Sequence, residues 1–198
     1  MLFRHELHVT NTKNMTEFEK MRSERLYDFS DAEILASLAH AKEVCARLQM
    51  LTIDSREYRE LIQELIPGIP DDSAVCPPFH CDHGNGIRMG HHVFINYNCV
   101  VLDGATVTFE DYVKVGPACQ FYTPQHPMDY VARRKPQETS YPIVIGEDSW
   151  LGGGVVVLPG VKIGKRCIIG AGSVVVHDIP DDSLAVGNPC EVKRSLLE

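Results

Sequence analysis

From Met89 to Val175 the apolar positions recur every six residues, in three runs that each keep their own phase. Met89, Ile95, Val101 and Val107 form the first run, Phe109, Val115 and Phe121 the second, and Ile145, Leu151, Val157, Ile163, Ile169 and Val175 the third. Four residues after most of these leads stands a slim residue: Val93, Cys99, Ala105, Val113, Cys119, Ser149, Val155, Val161, Cys167 or Ser173. Glycine follows the lead directly at Gly90, Gly116, Gly146, Gly152, Gly164 and Gly170. A helix would space its apolar residues by three and four and a half-buried strand by two, so a period of six fits neither. It predicts a solenoid in which three six-residue sides make one triangular coil. The lead aliphatic then fills the axis, the slim residue sits where two walls converge, and glycine gives the corner its backbone freedom.

Two interruptions break the pattern. The phase slips by two between Val107 and Phe109, which predicts a bulged corner. Between Phe121 and Ile143 the repeat vanishes for about twenty residues, and an interruption that long in a compact fold is usually functional; it predicts an ejected arm. Ahead of the repeat, Ser30 or Asp31 can cap a helix with apolar positions Ile34, Leu38, Ala41, Cys45 and Leu48. Asp54 with Glu57 starts a second helix carrying Tyr58, Leu61, Ile62, Leu65 and Ile66. Such helices would close the open end of the coil, where a terminal rung leaves unpaired edges. The expected organisation is an extension at 1–14, a helical cap at 15–68, a solenoid at 69–186 with an inserted loop at 123–142, and a tail at 187–198.

Composition narrows the function. The 198 residues carry a formal net charge of -8, which repels a phosphate backbone rather than collecting counterion-release energy, so nucleic acid is not an expected partner. No apolar run approaches the roughly 20 residues of a membrane span, and residues 1–14 lack the apolar stretch and cleavage site of a secretory signal. Seven cysteines with no CxxC suit neither a zinc cage nor a disulfide framework and fit a reducing cytoplasm. Cys99, Cys119 and Cys167 read as slim core residues. His80, His83, His91 and His92 cluster in sequence, but neighbours on a solenoid point in different directions, so no metal site is expected.

Several segments carry a specific resemblance: EKMRSERLYD (Glu19 to Asp28), PPFHCDHGNGI (Pro77 to Ile87), FINYNCVVLD (Phe94 to Asp103), FYTPQHPMD (Phe121 to Asp129), PIVIGEDSWLGGGVVVLPGVKIG, IGAGSVVVHDIP and AVGNPCEVKR. Together they resemble the maltose and galactoside O-acetyltransferases, a branch of the hexapeptide acyltransferases, over Met15 to Arg194. The resemblance implies a mainly β fold, a left-handed parallel β-helix with an N-terminal helical cap. It also implies a homotrimer with active sites between subunits, packed through polar walls, and acetyl-CoA as co-substrate. His126, on the arm between Gln125 and Pro127, takes the role of general base, since imidazole accepts protons near neutrality. The acceptor sugar falls to Asp28, Cys81, Asp82, Asn96 and Asp103, with Asn96 and Asn98 also readable as a polar corner ladder. Gly104 stands where some galactoside enzymes carry a carboxylate. The donor falls to Trp150, Gly153, Ala171, Val176, His177 and Arg194, with Gly152 and Gly153 offering amides to the thioester oxygen and Lys162, Lys165, Arg166, Lys193 and Arg194 offering charge to the phosphates. The implied reaction is direct transfer, the rival being an acetyl-enzyme on Cys81. Other readings are a xenobiotic O-acetyltransferase, a γ-type carbonic anhydrase, and a coil that only trimerises.

Overall fold

The computed structural model describes residues 15–197, so the extension at 1–14 lies outside the described residues. Three helices come first: α1 (Glu17–Arg22), α2 (Ala32–Leu48) and α3 (Arg56–Leu65), with the short strand β1 (Tyr27–Asp28) between α1 and α2. Thr16 and Glu19 make a reciprocal capping box on α1. Asp31 caps α2, its carboxylate accepting from the amides of Glu33 and Ile34. The cap of α3 is Ser55, one residue beyond the expected Asp54; its hydroxyl accepts from the Tyr58 amide at 3.1 Å. The apolar faces of α2 and α3 share one core with the first coil: Val44, Leu48, Leu61, Ile62 and Leu65 pack with Val75, Phe79 and Ile95. The Tyr58 hydroxyl stitches the junction, donating to the Val75 carbonyl (2.8 Å) and accepting from its amide (3.0 Å).

The rest of the chain is a left-handed parallel β-helix of about six turns. Its first wall stacks β2 (Ala74–Val75), β5 (Phe94–Ile95), β8 (Lys114–Val115), β13 (Trp150–Leu151), β16 (Ile168–Ile169) and β18 (Ser183–Val186). The second stacks β3 (Phe79–Cys81), β6 (Cys99–Leu102), β9 (Gln120–Tyr122), β14 (Val156–Val157) and β17 (Val174–Val175), and the third β4 (Ile87–Met89), β7 (Val107–Phe109), β12 (Ile143–Ile145) and β15 (Lys162–Ile163). An antiparallel strand, β19 (Glu191–Ser195), closes the first wall beside β18. Every lead aliphatic from Ile95 onward is buried, and Cys99, Cys119 and Cys167 have no exposed surface. Each of these thiols lies within 3.1–3.3 Å of a corner carbonyl, that of Gly116, Gly152 or Pro180.

Two details differ from the expectation. The slip between Val107 and Phe109 is no bulged corner: both side chains point inward from one three-residue strand, because alternate residues of an extended chain share a face. The coil from Ile87 to its partner Val107 is two residues longer than the one from Val144 to its partner Lys162. The glycines after the leads are also there for another reason. The left-handed backbone falls two residues further on, at His92, Ala118, Asp148 and Arg166. At Gly116, Gly146, Gly152 and Gly164 the backbone of the neighbouring coil comes too close for any Cβ: one built on Gly116 would lie 2.6 Å from the Gly153 nitrogen, and one on Gly152 would lie 2.6 Å from that of Ala171.

The arm is ordered. β10 (Pro124–Gln125) and β11 (Gln137–Ser140) pair antiparallel, linked through a 3-10 turn at Ala132–Arg134, and β11 pairs in turn with β1. The arm therefore folds back onto the cap. The outer face of the second wall is not polar as expected: Val100, Leu102, Tyr122, Val156, Leu158, Val174 and Val176 are half-buried there, with Gln120 among them.

Candidate functional site

Where the arm meets the cap, a cavity of about 390 Å³ opens, lined by Met21, Tyr27, Phe29, Ile34, Leu35, Leu38, Asp82, His83, His126 and Glu138. Its position follows from the local sequence. β9 ends at Tyr122, Pro124 and Pro127 bracket His126, and β11 brings Glu138 back beside it. His126 Nδ1 stands 3.6 Å from Glu138 Oε2, and its ring meets Phe29 edge-on at a centroid distance of 6.0 Å. Glu138 is half-buried and also accepts a hydrogen bond from the Tyr27 hydroxyl, which lies 3.0 Å from Ser140 Oγ. Burial together with the Glu138 contact pushes the Tyr27 phenol up, so it stays a protonated donor. The carboxylate is thus fixed on one side by tyrosine and presents its other oxygen to imidazole. That is how a base is held in one orientation, with Nε2 left for the proton. Glu138 was not anticipated from the sequence; the antiparallel pairing of the arm is what brings it to His126.

Asp82 and His83 enter from the turn after β3. Burial, with the carboxylates of Asp103 and Glu138 adding to it, pushes Asp82 up to about 7, and Lys42 opposes this. Asp103 itself is fully buried and works from behind: its oxygens accept from the amides of His83 (2.8 Å) and Gly86 (2.9 Å). Arg22 bonds the Asp103 and Gly104 carbonyls and the Asn85 side chain. Asp103 therefore shapes the turn and does not line the cavity, a correction to its expected contact with the acceptor. Cys81 is a second correction. It alternates inward with Phe79, is 7% exposed, and packs its sulfur 3.9 Å from Cys45 on α2; the Cys45 contact and burial hold its thiol well above the usual range. Such a thiol is a poor nucleophile. Asp28 does not line the cavity either, its carboxylate accepting from the amide and hydroxyl of Ser30 at 2.8 and 2.6 Å. A Cβ at Gly104 would stand 2.4 Å from Ser140 Oγ, so a carboxylate there would displace that hydroxyl.

The remaining site residues fall on two edges of the coil. Asn96, Gly116, Gly152 and Gly170 stack at the corner between first and second walls, each amide donating to the coil that follows. One step along that corner, Gly153 and Ala171 have amides with no acceptor among the described residues, whereas Gly152 donates to Ile169 and Gly154 to Pro117. Of the two glycines, Gly153 and not Gly152 has an amide left to face a ligand oxygen. Trp150 is 54% exposed on the first wall between Lys114 and Ile168. Asn96 keeps its side-chain oxygen on the Tyr97 amide at 2.7 Å, and Asn98 is a left-handed corner residue. Val176 and His177 belong to the other edge, in register with Asp82 and His83 four coils earlier. A single copy thus holds its base and its free amides on opposite edges of the second wall.

The expected cationic cluster is largely paired. Lys165 meets Glu147 at 3.1 Å, Arg166 grips Asp182 with two bonds of 2.5 and 2.7 Å, and Lys193 meets Glu191 at 2.9 Å. Lys162 and Arg194 have no carboxylate partner among the described residues. No group of three or more metal-ligating side chains converges among the described residues, and His91 and His92 are instead exposed beside Asp72. No helix among them is long and apolar enough to cross a membrane.

Residues 142–177 match the family model of the bacterial transferase hexapeptide (six repeats). A maltose O-acetyltransferase from Clostridium difficile 630 is 36% identical, covering 93% of this chain and 99% of its own, and superposes with a TM-score of 0.89. A hexapeptide-repeat acetyltransferase from Vibrio cholerae, solved with acetyl coenzyme A, is 43% identical over 92% of this chain and 99% of its own, with a TM-score of 0.86. A galactoside acetyltransferase solved with coenzyme A is 30% identical over 92% of both chains, with a TM-score of 0.83. With its capped β-helix and its arm histidine, the chain belongs to the hexapeptide-repeat acetyltransferases of the maltose and galactoside O-acetyltransferase family.

Proposed function

We propose that this acetyltransferase moves the acetyl group of acetyl-CoA to a hydroxyl of a sugar such as glucose, maltose or a galactoside. The observation that carries the proposal is His126 held beside the half-buried Glu138 in a cavity that also contains Asp82. His126 takes the hydroxyl proton as the sugar oxygen bonds to the thioester carbon. The amide of Gly153 donates to the oxyanion. The carbon–sulfur bond then breaks and the imidazolium returns its proton to the departing thiolate. No acetyl-enzyme is required, in keeping with the inward-facing Cys81.

Because base and amides sit on opposite edges of one wall, the complete site needs a second copy. The apolar outer face of the second wall supports a cyclic homotrimer in which each copy's His126 edge meets the next copy's Gly153 edge. Trp150, Ala171 and Arg194 then flank the donor from one copy, and Val176 and His177 from the other. An acceptor screen with acetyl-CoA and a thiol readout tests the activity: sugars should release coenzyme A in proportion to acetylated product. Turnover confined to non-sugar hydroxyl compounds would overturn the sugar reading, and a monomer by light scattering at micromolar concentration would overturn the assembly.

A further inference from the structure

His83 faces the acceptor cavity and has no part in the transfer step. Only 4% exposed, it is held on three sides: its amide donates to Asp103 Oδ1 at 2.8 Å, Nδ1 lies 2.9 Å from Ser37 Oγ on α2, and its ring packs edge-on against Phe18 at 5.8 Å. The next residue, Gly84, takes φ +73°, and the Leu65 carbonyl oxygen lies 2.4 Å from where a Cβ would stand, so the turn has no slack. Nδ1 is therefore engaged. Nε2 has no partner among the described residues, yet it is not among their sealed, unpaired polar atoms; the ring it belongs to lines the cavity. Burial, opposed by the Asp103 carboxylate and helped by a smaller push from Arg22, lowers the imidazole to about 4, so the ring is neutral at physiological pH and a weak base compared with an ordinary histidine.

A neutral ring with Nδ1 on a hydroxyl offers Nε2 as donor or acceptor according to tautomer. A ligand hydroxyl satisfies either state, whereas an ammonium or a carbonyl satisfies only one. Asp82, the preceding residue, faces the same cavity and makes no side-chain hydrogen bond among the described residues. We infer that His83 Nε2, beside Asp82, binds a second hydroxyl of the acceptor, distinct from the one acetylated, and so determines which polyols the site accepts. The inference rests on the sugar O-acetyltransferase reading above.

The test compares the full chain with its His83→Phe and His83→Gln variants, on the best sugar acceptor and its series of monodeoxy analogues. The native enzyme should disfavour one monodeoxy analogue by about tenfold or more in kcat/KM, because that analogue leaves a buried polar group unpaired. In His83→Phe the discrimination should collapse to near unity, with the full acceptor falling, that analogue hardly changing, and the KM for acetyl-CoA unmoved. His83→Gln should recover part of it. Equal loss on every acceptor, or ratios unchanged from the native enzyme, would overturn the inference. If His83→Phe does not fold, a His83→Gln enzyme with undiminished discrimination overturns it in the same way. Failure of the native enzyme to acetylate any sugar would instead remove the underlying reading, and the inference with it.

Discussion

Replacing Asp82 by asparagine should stabilise the protein, and increasingly so as pH rises. The carboxyl is displaced from 3.8 to about 7, so between these values it is protonated in the folded chain but ionised in the unfolded one. Stability then falls with rising pH, because the folded state binds the extra proton. An asparagine side chain in its place is isosteric and uncharged, and escapes that loss. At about 1.4 kcal/mol per tenfold, the displacement sets a ceiling of about 4 kcal/mol. Asp82 lines an open cavity, where solvent screens part of this, and about two-thirds of the window lies between pH 5 and pH 7. The expected gain of Asp82→Asn over the native protein is therefore about 1–2 kcal/mol larger at pH 8 than at pH 5, or roughly 2–8 °C in Tm for a chain of this size. Thermal unfolding of both proteins at the two pH values, at matched concentration, reads it directly. A variant equally stable relative to native at both, or relatively weaker at pH 8, would refute the assignment of a burial-destabilised carboxyl to this wall.

Three further outcomes follow from particular contacts. Glu138→Gln, which keeps the Tyr27 contact but removes the charge beside His126, should lower kcat by about tenfold to a hundredfold while leaving the KM for acetyl-CoA alone, and steady-state kinetics at saturating acceptor would show an unchanged kcat if Glu138 were only structural. Gly116→Ala forces a Cβ to within 2.6 Å of the next coil's backbone and should cost about 1–3 kcal/mol in denaturant unfolding; a neutral substitution would mean that the coils are not packed as described. Cys99, Cys119 and Cys167 should ignore a hydrophilic thiol reagent in the native protein and react after unfolding, and prompt native labelling of all three would contradict their place inside the corners.

The coil itself was legible because its constraint repeats: each lead aliphatic, and each slim residue from Cys99 to Ser173, faces the same axis, so period alone carries it. The reason for the glycines was not. Sequence shows where a side chain is missing, and only the stacked coils show that it is missing for lack of space rather than for a left-handed turn. At β3 the family likeness placed Cys81 on the acceptor wall, although the alternation Phe79–His80–Cys81 already turned it inward. Asp103 shows the same limit, since a motif match gives position along the chain but not the direction of a carboxylate. His126 was recognisable from its motif. Glu138 lies twelve residues away in a segment without periodicity, and no local signal marks it until β10 and β11 pair.

Acetyl transfer from labelled acetyl-CoA to a panel of glucose, maltose and galactoside acceptors, by the native enzyme and its His126→Ala variant, tests the assigned chemistry most directly. Acetylated sugar is expected from the native enzyme, and a kcat lower by about two to four powers of ten from the variant, with acetyl-CoA bound as before. Undiminished transfer by His126→Ala would contradict the role of His126 as the base.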